Sequence, residues 1–153
     1  MNQMEAKPVH DVQTTPIKFL IVDDDRVSIM AIKRALKKLK IVNPVRVAHD
    51  GEEALNILRG ECGASKMLPP YLITLDLNMP RMDGLEFLDE VRNDARLHRA
   101  VIFVLSTSDA PKDIDAAYAQ NIAGYIVKDD LGDSFVKALD MIDAYSKVVE
   151  LPC

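Results

Sequence analysis

The sequence predicts an α/β fold, a doubly wound parallel sheet of five strands with helices on both faces. Two observations carry the prediction. Short apolar runs rich in β-branched residues alternate with amphipathic stretches of helical period, five of each in succession. The apolar runs lack polar alternation, so each strand is buried on both faces, as strands are in a parallel sheet covered by helices. Connections of this length are right-handed crossovers.

The elements follow in order. Residues 1–16 are polar and read as a flexible tail. "IKFLIVD" (17–23) is the first strand. "SIMAIKRALKKLK" (28–40) sets Ile29, Ile32, Leu36 and Leu39 at helical spacing. "VRVAH" (45–49) is a short strand. "DGEEALNIL" (50–58) opens on Asp50 with Glu53 three residues on, which resembles a capping box. Glycines and a Pro-Pro pair make 59–70 a loop. "YLITLD" (71–76) is the third strand, and "LEFLDEVRN" (85–93) a helix with Leu85, Leu88 and Val91 on one side. "AVIFVLS" (100–106) is a wholly apolar strand. "PKDIDAAYAQN" (111–121) begins on proline, which suits a first helical turn. "GYIVK" (124–128) is the fifth strand. "DSFVKALDMIDAYSKVV" (133–149) closes the fold, leaving 150–153 as a C-terminal tail.

Bulk properties narrow the function. The 153 residues suit one domain, at 17–149, and 48% hydrophobic with 28% charged residues suits a soluble globular protein. The longest apolar run, Ala100 to Leu105, is far short of the ~20 residues a membrane span needs. No signal segment opens the chain, so a cytoplasmic location is expected. A net charge of −5 argues against coating nucleic acid. Cys62 and Cys153 read as reduced thiols, and the scattered His10, His49 and His98 as surface residues, because neither set has zinc-site spacing.

Four strands end on polar groups: Asp23-Asp24-Asp25, Asp76, Ser106-Thr107-Ser108 and Lys128. Strand ends are often polar merely because they reach solvent. In an open parallel sheet, however, ligands bind beyond the carboxyl ends of the strands, where these four would converge. Two carboxylates ~4 Å apart repel by about 4 kcal/mol at an effective dielectric near 20. Such a cluster calls for a hard cation, most simply Mg²⁺. With a lysine point charge beside it, the crevice suits a phosphoryl group, and a carboxylate is a recognised nucleophile that forms an aspartyl phosphate.

The segments "FLIVDDD", "LDLNMPRMDG", "VLSTSD" and "GYIVK", in this order and spacing, resemble the response-regulator receiver domain of two-component signalling. The resemblance covers about residues 17–148 and implies the flavodoxin-like strand order 2-1-3-4-5. It implies Asp76 as phosphoacceptor. It implies Asp23 and Asp24 as the acidic pair, Asp24 touching Mg²⁺ directly and Asp23 acting through water. Asn78 would give its backbone carbonyl to the ion. Ser106 would sense the phosphoryl group, Lys128 would pair with the acceptor and then with its phosphate, and Tyr125 would be the switch aromatic. Tyr125 also reads simply as a half-buried aromatic on an edge strand. Asp25 reads as a helix N-cap in preference to an ion ligand.

One residue departs from the pattern. The family has proline after the lysine, joined by a cis bond, whereas this chain has Asp129, for which a trans bond is expected. The 59–70 loop and the extended "RNDARLHRA" look like the stand-alone receivers associated with phytochromes.

The resemblance implies a histidine kinase or histidine phosphotransfer protein as donor, docking on the first helix. That helix carries Lys33, Arg34, Lys37, Lys38 and Lys40, a run that also reads as a solvated face. A downstream protein target would use the fourth helix, fifth strand and fifth helix. On the closing helix Phe135, Leu139 and Ile142 form a core stripe. Met141, Ala144 and Val148 form a second apolar line that could pack locally or make a homodimer contact. The chain is then no enzyme beyond its own phosphorylation and dephosphorylation. Two alternatives stand beside this reading. One is an unphosphorylated pseudo-receiver, which usually lacks an acid. The other is an aspartate-nucleophile phosphatase, which wants an acid where Asn78 stands.

Overall fold

The structure, a computed structural model, describes residues 16–129 and 132–152. Residues 1–15, 130–131 and Cys153 lie outside the described residues. Ten elements alternate: β1 (Lys18–Val22), α1 (Arg26–Lys38), β2 (Val45–Ala48), α2 (Gly51–Arg59), β3 (Tyr71–Leu75), α3 (Gly84–Arg92), β4 (Val101–Ser106), α4 (Pro111–Ala119), β5 (Gly124–Val127) and α5 (Asp133–Val148). The five strands form one sheet, ordered β2-β1-β3-β4-β5, and every pairing is parallel. This is the predicted flavodoxin-like order.

Strand residues point alternately to opposite faces, and both faces are apolar. Leu20, Val22, Ile73, Leu75, Ile102 and Val104 pack with α2 and α3 residues such as Leu55, Leu58, Phe87 and Leu88. Phe19, Ile21, Leu72, Phe103 and Leu105 pack with Ile29, Ile32, Leu36, Phe135, Leu139 and Ile142 of α1 and α5. The predicted core stripe of α5 is therefore buried, while Met141 and Val148 of its second line face outward. The basic residues of α1 are exposed. No helix among the described residues is long and apolar enough to cross a membrane.

Helix starts are fixed by capping. α1 begins at Arg26, two residues before the predicted start, because the Asp25 side chain accepts a hydrogen bond from Val27 N. At α2, Asp50 accepts from Glu53 N, but the Glu53 carboxylate reaches back to His49 N instead of to Asp50. α3 carries the full reciprocal capping box, Asp83 with Glu86. Its buried face is Gly84, Phe87, Leu88 and Val91, so Phe87 belongs to the core and Leu85 lies at its margin. The cis peptide among the described residues is Pro69–Pro70, and the Lys128–Asp129 bond is trans as expected.

Arg92, at the end of α3, was not singled out by its sequence. Its guanidinium donates to the carbonyls of Gln120, His98, Ala100 and Asn121, tying α3 to the turns before β4 and β5. Its five donors in a rigid fork suit this work better than a lysine ammonium.

Candidate functional site

The register of the sheet builds the site. Val22 of β1 pairs with Leu75 of β3, so the next residues, Asp23 and Asp76, leave adjacent strands at the same height. Asp76 N–H donates to Val22 O at 2.9 Å and Asp23 N–H to Ala48 O at 3.0 Å. The chain leaves β1 for β2 on one side, and β3 lies on the other. The two acids thus stand at the switch point of the sheet, where a crevice must open. Asp23, Asp24 and Asp76 each offer a carboxylate oxygen, all within 4.8 Å of one another. Asp23 and Asp76 are buried, and Asp24 is exposed.

β5 brings the fourth charge. Lys128 N–H donates to Ser106 O at 2.7 Å, which fixes the end of β5 beside β4. The side chain turns into the crevice, where Lys128 Nζ donates to Asp23 Oδ2 at 3.0 Å and to Ser28 Oγ at 3.2 Å. The expected pairing of Lys128 with Asp76 is therefore replaced in this state by an ion pair with Asp23. Asp23 is the more deeply buried acid, 2% exposed against 8% for Asp76, and so has the greater need of a counter-charge. Lys128 still acts on Asp76 through space.

Burial, the largest influence, pushes the Asp76 carboxyl up to about 6. Lys128 opposes the rise, Asp23 adds to it, and the backbone N–H groups of Asn78 and Leu77 oppose it. A carboxylate in this position is held ionised with difficulty and is a stronger base than an ordinary aspartate. Asn78 itself is exposed. Gly84 is required where it stands. A Cβ there would come within 2.5 Å of Asp76 O and 2.7 Å of Leu77 Cα, so the loop after β3 folds back against α3 only without a side chain.

The hydroxyl side of the site comes from β4. Ser106 is fully buried, and its Oγ accepts from Ser108 N at 3.2 Å. Tyr125 is half-buried, and its hydroxyl donates to Ser108 O at 2.8 Å. Ser108 therefore joins the two residues expected to switch, and its own hydroxyl is anchored on Asp113 Oδ2 at 2.6 Å. Asp25 is the N-cap of α1, and its Oδ2 accepts from Ser28 Oγ at 2.9 Å. That hydrogen bond is the main reason its carboxyl lies below the usual range.

Two polar contacts were missed by sequence reading. Ser28 is a buried serine in a helix, and its signal was its place on the apolar face of α1, one turn before Ile32. The other is an ion pair between Arg81, in the loop after β3, and buried Asp50. Arg81 has a left-handed backbone, φ 63°, which no sequence pattern announced.

The donor set suits a hard divalent cation. It is all oxygen, and three carboxylates face one ammonium. Asp76 shares its crevice with the Lys128 ammonium, which acts on it through space.

The sequence profile of the family described as "Response regulator receiver domain" matches residues 19–140. The protein named "Probable methanogenesis regulatory protein FilR2" in Methanothrix harundinacea is 33% identical over 113 residues, 74% of this chain and 72% of its own. Response regulator Rcp1 of Synechocystis sp. is 29% identical over 143 residues, 93% of this chain and 97% of its own. Its Mn(2+)-bound crystal structure superposes with a TM-score of 0.81, covering 90% of this chain and 100% of that one. The phosphorylated cyanobacterial phytochrome response regulator RcpA is 33% identical with a TM-score of 0.83, covering 91% of this chain and 100% of that one.

Proposed function

Because this chain belongs to the response regulator receiver family of two-component signalling, we propose that it works as a stand-alone receiver, spanning 17–149, which takes a phosphoryl group on Asp76. The observation that carries this reading is the meeting of Asp23, Asp24 and Asp76 within 4.8 Å, with Lys128 bonded to the first of them. In the transfer, an Asp76 carboxylate oxygen forms a bond to phosphorus. The bond from phosphorus to the donor's imidazole nitrogen breaks, and its electron pair stays on the nitrogen. Lys128 then has a phosphoryl oxygen to pair with, and the Ser106 hydroxyl a new acceptor.

Asp23, Asp24, Asp76 and the Asn78 carbonyl would hold Mg²⁺. When bound, the ion neutralises charge on the phosphoryl oxygens. The likeness to Mn(2+)-bound Rcp1 supports a divalent site. The donor is a histidine kinase or histidine phosphotransfer protein in the cytoplasm, and the likeness to RcpA supports one coupled to a phytochrome. The readout passes through Ser106, Ser108 and Tyr125 to the face of α4, β5 and α5, where Tyr118 and Met141 are exposed. There a downstream protein target docks, and the same face offers a homodimer contact. The protein is a regulator, with no turnover beyond its own phosphorylation and dephosphorylation.

Intact-mass measurement after incubation with acetyl phosphate and Mg²⁺ tests the reading. A gain of one phosphoryl group is expected in the natural sequence and none in Asp76→Asn. Folded natural protein that gains nothing would refute it.

A further inference from the structure

The lysine of the site is held from two sides, and only one of them is an acid of the metal cluster. Ser28, on the first turn of α1, is 4% exposed and meets Lys128 at 3.2 Å. Its hydroxyl is not free to turn. An ammonium can only donate, and an ionised carboxylate can only accept. The serine proton therefore lies on Asp25 Oδ2, at 2.9 Å, and the serine lone pairs face Lys128. The chain of donors runs in one direction: Lys128 to Ser28 to Asp25. Asp25 is held in turn, accepting from Val27 N at 3.1 Å as the cap of α1, while its own N–H donates to Asp23 Oδ1 at 2.9 Å. A serine hydroxyl that donates to a carboxylate is a better acceptor than an isolated one, because hydrogen bonds in a chain polarise one another.

We propose that Ser28 is a positioning residue for Lys128: with Asp25 behind it, its hydroxyl parks the ammonium on the α1 side of the crevice until a phosphoryl group on Asp76 draws it across. The inference rests on Asp76 being the phosphoacceptor. It gives the resting pairing of Lys128 a purpose. Asp23 and Ser28 take two of the three ammonium donors. Leaving Ser28 for a phosphoryl group on Asp76 breaks the serine bond, which sets a threshold against occupation of the acceptor. Removing the hydroxyl lowers that threshold.

The test uses the full chain as Ser28→Ala and Ser28→Thr. Alanine is a good helix former and small enough for the position; threonine restores a hydroxyl. Calorimetric titration with beryllofluoride in the presence of Mg²⁺ measures occupation of the phosphoryl position. Loss of one resting hydrogen bond predicts binding about fivefold tighter in Ser28→Ala, returning to the natural level in Ser28→Thr. The second readout needs no metal. The side-chain ¹⁵N resonance of the Lys128 ammonium, assigned by its loss in Lys128→Arg, should move in Ser28→Ala and return in Ser28→Thr. A serine that merely supported α1 would give weaker binding on removal, so weaker or unchanged binding with an unmoved lysine signal overturns the proposal. Should the natural protein bind no beryllofluoride at all, the acceptor reading fails and the proposal with it, which is a different result from binding that ignores Ser28.

Discussion

Asp76→Asn should make the protein more stable, and the effect should vanish in acid. Burial lifts the Asp76 carboxyl from 3.8 to about 6, against the pull of Lys128. The rise is about 2 pH units at ~1.4 kcal/mol each, so ionised Asp76 costs the native state about 3 kcal/mol at neutral pH. The sign follows from linkage. The native pKa lies above the unfolded one, so the native state binds the proton more tightly. The contribution to stability is complete below about pH 4 and is lost as pH rises through about 6. Asparagine has the same shape, can still accept from the N–H groups of Leu77 and Asn78, and carries no charge at any pH.

For a chain of this length about 3 kcal/mol corresponds to a rise in melting temperature of roughly 6–12 °C. The assay is thermal unfolding by circular dichroism in chelator, from pH 4 to pH 8. The gap between variant and natural protein should open across pH 4 to 6 and be full by pH 7–8. Excess Mg²⁺ should narrow it, because an ion bound only by the native state stabilises the natural protein by mass action. Melting temperatures that agree within about 2 °C at pH 8, or a gap that widens towards pH 4, would refute the account of crowded, buried charge.

Three further outcomes follow from contacts of the same kind. Lys128→Met leaves buried Asp23 without its counter-charge and should cost about 3–5 kcal/mol in urea unfolding; a loss below about 1 kcal/mol would mean that solvent already serves Asp23. Arg92→Ala removes four hydrogen bonds to backbone carbonyls and should cost about 3 kcal/mol, little of it recovered by lysine, as read by denaturant midpoint at unchanged slope. Gly84→Ala drives a methyl group to 2.5 Å from Asp76 O and should cost about 2 kcal/mol or more while weakening Mg²⁺ binding, measured by calorimetry.

The sheet was legible because its signals are local. Short apolar runs rich in β-branched residues, such as Ala100 to Leu105, fit a strand buried on both faces. Once α1 and α5 cover one face and α2 to α4 the other, the strand ends must share one rim. The acids were legible as exceptions: Asp76 ends an apolar run where a turn residue would serve. Partners were harder. Whether Lys128 pairs with Asp23 or Asp76 depends on relative burial, which is a property of the assembled crevice. Arg92 spends its charge on backbone carbonyls, which have no sequence signature at all. Helix starts shifted by two residues at α1 because a single carboxylate, Asp25, decides the first turn.

The charge balance of the crevice explains why one group can be both a liability and a reagent. Three carboxylates stand within 4.8 Å, and one ammonium answers them. Lys128 goes to Asp23, the deepest, and Asp76 is left buried without a direct ion pair; burial, with the Asp23 charge adding to it and Lys128 opposing, raises its affinity for a proton. A proton is only the smallest electrophile. The same poorly solvated charge that holds a proton up to about pH 6 is what a divalent cation would relieve and what an electrophilic phosphorus would meet. Moving Lys128 from Asp23 to Asp76 would lower the basicity of Asp76 and strand the more deeply buried acid. A resting site that keeps its lysine on Asp23 leaves Asp76 without a direct counter-charge, at a cost in stability that Asp76→Asn would reveal.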